Sequence, residues 1–190
     1  MATAFPPYWR LALAARQLRA GGIVAYPTES VFGLGCDPAN AAAVMRLLEL
    51  KRRPPSRGLI LIAADWTQLE PWVGAIPASS RRRLEAGWPG AITWLLPASA
   101  DCPRWLTGEH DTVAVRIPGH ALARRLCRRA GTAIVSTSAN RSGQRPARSV
   151  LEVQLRLGRD IDGLLPGETG GRPRPSEIRH LATGATVRTG

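Results

Sequence analysis

Ile23-Val24-Ala25-Tyr26-Pro27-Thr28-Glu29-Ser30-Val31-Phe32-Gly33-Leu34-Gly35 opens as an apolar strand. At a proline it breaks into a stretch with two hydroxyls, a carboxylate and two glycines. An apolar run without polar alternation suits a strand buried on both faces, as in a sheet with helices on either side. The flanks agree. Tyr8 to Ala20 reads as an amphipathic helix ended by Gly21-Gly22. Ala41 to Leu50 reads as another, with Asn40 as N-cap and Arg52-Arg53-Pro54-Pro55 as its stop.

Outward from there, strands and helices alternate. Leu59 to Ala63 is a second buried strand. Asp65 opens a helix with Gln68 completing a capping box, and Ser79 or Ser80 opens another that runs to Gly87. Ala91 to Leu96, Thr112 to Ile117 and Ala133 to Ser136 read as strands. Ala121 to Ala130 and Val150 to Leu157 read as helices, the latter capped by Ser149 with Glu152. The Gly- and Pro-rich tail has room for two short strands near Leu164 and Val187. With no repeat, low-complexity tract or linker, residues 1–190 are expected to form one α/β domain. Strand order is not legible, and parallel and mixed sheets both fit.

Composition narrows the function classes. At 44% hydrophobic and 21% charged residues the chain is not expected to be disordered. Its longest apolar run, Leu59 to Ala64, is far short of the roughly 20 residues a membrane helix needs. Arg10 and Arg16 interrupt any secretory core. Cys36, Cys102 and Cys127 show no Cys-x-x-Cys spacing, which fits a reducing cytoplasm. The net charge of +12 attracts polyanions, and all the basic residues except Lys51 are arginines.

Familiar nucleotide and metal motifs are absent. There is no Gly-x-x-x-x-Gly-Lys loop. Gly33-Leu34-Gly35 fails as a dinucleotide fingerprint because Pro38 holds the third glycine position, and the three histidines lack ligand spacing, so no metal site is expected. Three polar segments remain. Thr28 to Gly35 follows a strand, where α/β sheets bind ligands, though Thr28 and Ser30 also suit a plain turn bonded to its own backbone. Lys51 to Arg57 carries four cations and no acid; this fits a helix C-terminus, or an anion that relieves the crowding. Ser136-Thr137-Ser138-Ala139-Asn140 offers hydroxyls and an amide at a strand end, or a polar loop. Arg116, within an apolar strand, needs either the surface or a carboxylate. Gly167 to Arg179 reads as a lid or a loose tail.

These segments together resemble the YrdC/TsaC family, the threonylcarbamoyl-AMP synthases. The carriers are Pro27 to Gly35, Lys51-x-Arg53, Trp88-Pro89-Gly90 with Thr93, Val113 to Arg116, Ser136 to Asn140, and Gly167 to Gly171 through Pro175 to Arg179. The resemblance implies an open, twisted, mixed α/β sheet flanked by helices around a positively charged cavity, in a short single-domain form. It further implies condensation of ATP, bicarbonate and L-threonine to threonylcarbamoyl-AMP and pyrophosphate, a nucleotidyl transfer. The product would feed t6A formation on tRNAs reading codons that begin with A.

On that resemblance Lys51, Arg53, Ser138 and Asn140 are expected to be catalytic. Arg57, Thr112 and Arg188 join them on the nucleotide, with Mg2+ accompanying ATP through phosphate oxygens and water. Arg116 would meet the carboxylate of threonine, with Thr28, Ser30, Ser136 and Ser176 around it. A cytoplasmic monomer is expected, with tRNA a further candidate partner and the t6A transferase machinery downstream. Longer relatives carry a His near Ile62, and an Asn-Pro-Leu where this chain has Arg57-Gly58-Leu59. The rival reading is a non-catalytic RNA-binding module, gripping tRNA or other double-stranded RNA through Arg81-Arg82-Arg83 and Arg124 to Arg129.

Overall fold

The apolar run that begins at Ile23 forms a strand, and its alternate residues face two different cores. The structure is a computed structural model describing residues 8–189; residues 1–7 and Gly190, included in the single-domain expectation, lie outside the described residues. In β1 (Val24–Pro27), Val24 and Tyr26 pack with α1 (Tyr8–Arg19) and α5 (Ala121–Ala130). Ile23 and Ala25 join the opposite core with α2 (Ala41–Lys51) and α6 (Val150–Leu157). β3 (Ile60–Ile62) and β6 (Ile134–Ser138) repeat the pattern, sending Ile62 and Ile134 to one side and Leu61 and Val135 to the other. The two-residue period of a strand under two helical layers accounts for the unbroken apolar runs. Each fully buried Leu or Ile here contributes about 1.5–3 kcal/mol.

The remaining elements are β2 (Phe32–Gly35), α3 (Ala78–Gly87), β4 (Ile92–Pro97), α4 (Arg104–Thr107), β5 (Thr112–Arg116), β7 (Gly163–Leu164), β8 (Glu177–His180) and β9 (Thr186–Arg188). Among the described residues they form one nine-stranded sheet, ordered β7-β1-β2-β6-β3-β5-β4-β8-β9. β1/β7, β3/β5 and β4/β8 run parallel and the other pairs antiparallel, so the sheet is mixed.

Three local expectations need correction. The segment after Asp65 is two 3-10 turns, Trp66–Gln68 and Glu70–Trp72, because Pro71 cannot donate to a continuing helix. Gln68 still accepts the Ala64 N–H at 2.8 Å, but the Asp65 carboxylate takes the Thr67 hydroxyl instead of capping. α3 starts at Ala78 with Pro77 at its N-cap position, not at a serine. Phe32 to Gly35 is a strand rather than a turn, bonded on both sides by β1 and β6. No helix among the described residues is long and apolar enough to cross a membrane.

α1 and α5 cover only part of their face. Beyond Ile62 and Ile134, the same-facing residues are Ile60 of β3, Ser136 and Ser138 of β6, Thr112, Ala114 and Arg116 of β5, and Leu95 of β4. These line two cavities instead of meeting a helix. A strap, residues 165–176, crosses this uncovered face from β7 to β8. It is tied to the β1–β2 loop by Gly170 N–H to Thr28 O at 2.9 Å and Arg172 N–H to Glu29 O at 2.8 Å.

Candidate active site

The first cavity, of about 230 Å3, brings together Thr28, Ser30, Arg116, Ser136 and Ser176 from four separate segments. Its neighbour, of about 660 Å3, is lined by Arg57 and Thr112 among others. Arg53 and Arg188 belong to both walls and mark the junction.

The charges that act on Arg53 and Arg188 at that junction are cationic, with Glu109 and Asp111 elsewhere on the wall of the second cavity. Burial, then Arg57, then Arg188 lower the pKa of the Arg53 guanidinium, while burial and Arg116 lower that of Arg188. The Nη2 of Arg53 donates to Gly58 O at 3.0 Å, and its buried Nε has no hydrogen-bond partner. Arg172 and Arg174 of the strap also line the first cavity, where Glu29 is the one carboxylate on the wall among the described residues. Cations gathered this way repel one another, and a bound polyanion removes the penalty.

Glu29 resolves the question posed by Arg116. Its Oε1 accepts from Arg116 Nη1 at 3.1 Å and from the Gly119 N–H at 2.8 Å, and the pair is buried, with side chains 12% and 8% exposed. Oε2 of Glu29 and Nε of Arg116 are buried without partners. Glu29 was not among the expected site residues. A buried strand arginine needs a carboxylate, and Glu29, two residues past the end of β1, is one of several acids close to strand ends, so the sequence signalled the need but not the partner.

The remaining expected residues divide. Ser30 and Ser136 are buried on the cavity wall. The Ser176 hydroxyl shares a hydrogen bond of 2.9 Å with Thr93, which the Trp88-Pro89-Gly90 turn delivers into β4. Thr28 spends its hydroxyl on Val31 O at 2.6 Å, the self-bonded turn the sequence left open. Ser138 lines the first cavity, donating to Asn140 Oδ1 at 2.5 Å.

Lys51 and Asn140 are not on the wall of either cavity. The Nζ of Lys51, buried, donates to Ser138 O at 2.5 Å and Asn140 O at 2.8 Å. Asn140 Nδ2 donates to Arg141 O and Gln144 O, both at 2.9 Å. In this structure Lys51 and Asn140 tie down the 138–144 loop directly behind Ser138, which lines the first cavity. The cause is Arg52, whose left-handed backbone (φ 51°) reverses the chain at the end of α2. Lys51 thus stays with the helix while Arg53 leaves toward the cavity. Burial and the Arg53 guanidinium pull the Lys51 pKa from 10.5 down to about 8. Replacing Lys51→Met, which keeps the stem and removes the ammonium, is expected to cost about 1–3 kcal/mol by removing both hydrogen bonds, with Ser138 O keeping the Asn140 N–H at 2.9 Å and Asn140 O losing its ammonium donor. Chemical denaturation reads this, and an unchanged midpoint would return Lys51 to the ligand.

Comparison with known proteins follows the same lines. The Sua5/YciO/YrdC family model, described as "Telomere recombination", matches residues 16–190. The chain is 56% identical over 182 residues to a protein of Nitrosococcus oceani named threonylcarbamoyl-AMP synthase, covering 96% of this chain and 98% of that one. It is 51% identical over 170 residues to an Escherichia coli protein of the same name, covering 88% and 89%. P. abyssi Sua5, solved complexed with L-threonine, superposes with a TM-score of 0.86 at 36% identity, over 94% of this chain and 52% of that one. This chain therefore spans about half the length of that Sua5.

Proposed function

The chain belongs to the Sua5/YciO/YrdC family, and from that premise we propose that it is a threonylcarbamoyl-AMP synthase. It condenses ATP, bicarbonate and L-threonine to threonylcarbamoyl-AMP and pyrophosphate, a nucleotidyl transfer supplying t6A formation on tRNA. The observation that carries the reading is the crowding of Arg53, Arg57 and Arg188 where a small polar cavity meets a larger one. A triphosphate at the junction would leave the amino acid in the first cavity and the nucleoside in the second.

Chemically, the amine of threonine and bicarbonate give a carbamate, whose oxygen attacks the α-phosphorus as pyrophosphate leaves. All three reactants carry negative charge, so neutralisation and alignment dominate the barrier. Arg53 and Arg188, with Arg57 beside them, would take the phosphates. Arg116, Ser30, Ser136 and Ser176 would take the amino acid, and Thr112 the nucleoside side. Among the described residues no group of three His, Cys, Asp or Glu suits a metal ion. Mg2+ would accordingly travel with ATP, held by phosphate oxygens and water.

We place it in the cytoplasm as a monomer, with the t6A transferase machinery downstream. An RNA-binding module accounts for surface arginines but not for buried serines under a strap; any tRNA contact would be additional. Pyrophosphate release by the purified protein given ATP and bicarbonate is expected to depend on L-threonine. Release indifferent to threonine would overturn the proposal.

A further inference from the structure

Tyr26 lies wholly buried in β1, opposite Gly33 of β2. Its ring covers both glycines of the Gly33-Leu34-Gly35 run. A Cβ at Gly33 would sit 3.1 Å from the ring, and one at Gly35 would sit 3.0 Å from it. Gly33 thus makes room for this aromatic, while at Gly35 the Val135 carbonyl, 2.5 Å from such a Cβ, is a still tighter neighbour. At the far edge of the ring the phenol donates to Ser136 Oγ at 2.7 Å. Burial pushes the Tyr26 pKa well above 10, so the group stays a neutral donor at working pH.

A serine hydroxyl has one proton and two lone pairs. With Tyr26 donating into one lone pair, the hydroxyl of Ser136 presents its proton elsewhere, and Ser136 lies on the wall of the first cavity. We propose that Tyr26 is a positioning residue that orients Ser136 as a hydrogen-bond donor to a substrate oxygen, in the proposed reaction a carboxylate or carbamate oxygen of the amino acid. This rests on the proposed function for the identity of the substrate, but not for the geometry. Tyr26 itself is fully buried and is not among the residues that line the cavity.

The experiment is a double-mutant cycle with a crystallographic arm. Tyr26→Phe removes one oxygen and keeps the ring on both glycines. Its melting temperature is expected to fall by about 2–4 °C. Its kcat/KM for threonine is expected to fall roughly tenfold, through KM for threonine, with KM for ATP within about twofold of wild type. In a Ser136→Ala background, Tyr26→Phe should produce no further kinetic loss. A second tenfold loss there, or equal losses toward both substrates, would overturn the proposal.

High-resolution crystals of wild type and Tyr26→Phe are expected to show Ser136 in one rotamer and in more than one, respectively. A single unchanged rotamer in both would also overturn the proposal. That arm needs no substrate, so it decides on Tyr26 even if wild type releases no pyrophosphate with threonine, a result that would count against the proposed function alone.

Discussion

Arg53→Ala is expected to cut threonine-dependent pyrophosphate release by roughly 10²–10³-fold, the loss typical of deleting one preorganised electrostatic contact to a developing charge. The melting temperature should change little. Arg53 is half-buried at the junction of the cavities, its charge opposed by Arg57 and Arg188. Deletion relieves repulsion in the empty protein and loses only weak bonds to the Gly58 and Arg57 carbonyls, at 3.0 and 3.4 Å. High activity loss with small stability loss is the signature of a residue that serves the ligand rather than the fold. The two assays run on the same preparation, and wild-type turnover in the variant would remove Arg53 from the site.

Arg116→Ala is expected to do the reverse first. It strands the Glu29 carboxylate, 12% exposed, with only the Gly119 N–H. Breaking a buried pair by removing one partner costs about 3–5 kcal/mol, a large part of the 5–15 kcal/mol typical of a whole domain. Denaturant unfolding measures this. The companion variant Glu29→Gln with Arg116→Met carries no charge at either position and should recover most of the stability. It should not recover use of threonine, whose KM is expected to rise much more than that for ATP. If the double variant is as unstable as the single one, the stranded charge is not the cause; if it handles threonine normally, Arg116 does not bind the carboxylate.

Elements with strong period were legible in the chain. β1, β3, β5 and β6 are short apolar runs, and α1, α2, α5 and α6 carry apolar stripes and recognisable ends, such as Asn40 and Ser149 accepting backbone N–H bonds at the starts of α2 and α6. β2 was not legible because two of its four residues are glycines, whose low strand propensity predicts a turn. It is a strand because β1 and β6 pair with it and the Tyr26 ring fills the space above it. β8 was hidden in a polar tail, Glu177-Ile178-Arg179-His180, none of it fully buried; pairing to β4 makes the strand.

The candidate site was legible as chemistry and only partly as geometry. Arg53, Arg116, Ser30, Ser136, Ser138, Ser176 and Arg188 do converge. Lys51, two residues from Arg53, does not reach the cavity, because the left-handed turn at Arg52 sends the neighbours in different directions. Glu29 and Tyr26 act on partners 87 and 110 residues away, and no local pattern reports such pairs.

By itself the sequence determined the α/β class, the cationic character and the inventory of hydroxyls and guanidiniums, since side-chain chemistry and periodicity are local properties. Which of those groups face the cavity, and which are consumed in holding its walls, was decided only by tertiary structure. Burial and hydrogen-bond satisfaction are set by whatever the fold brings alongside: a serine under a tyrosine, an arginine beside a glutamate, a lysine capped by two carbonyls.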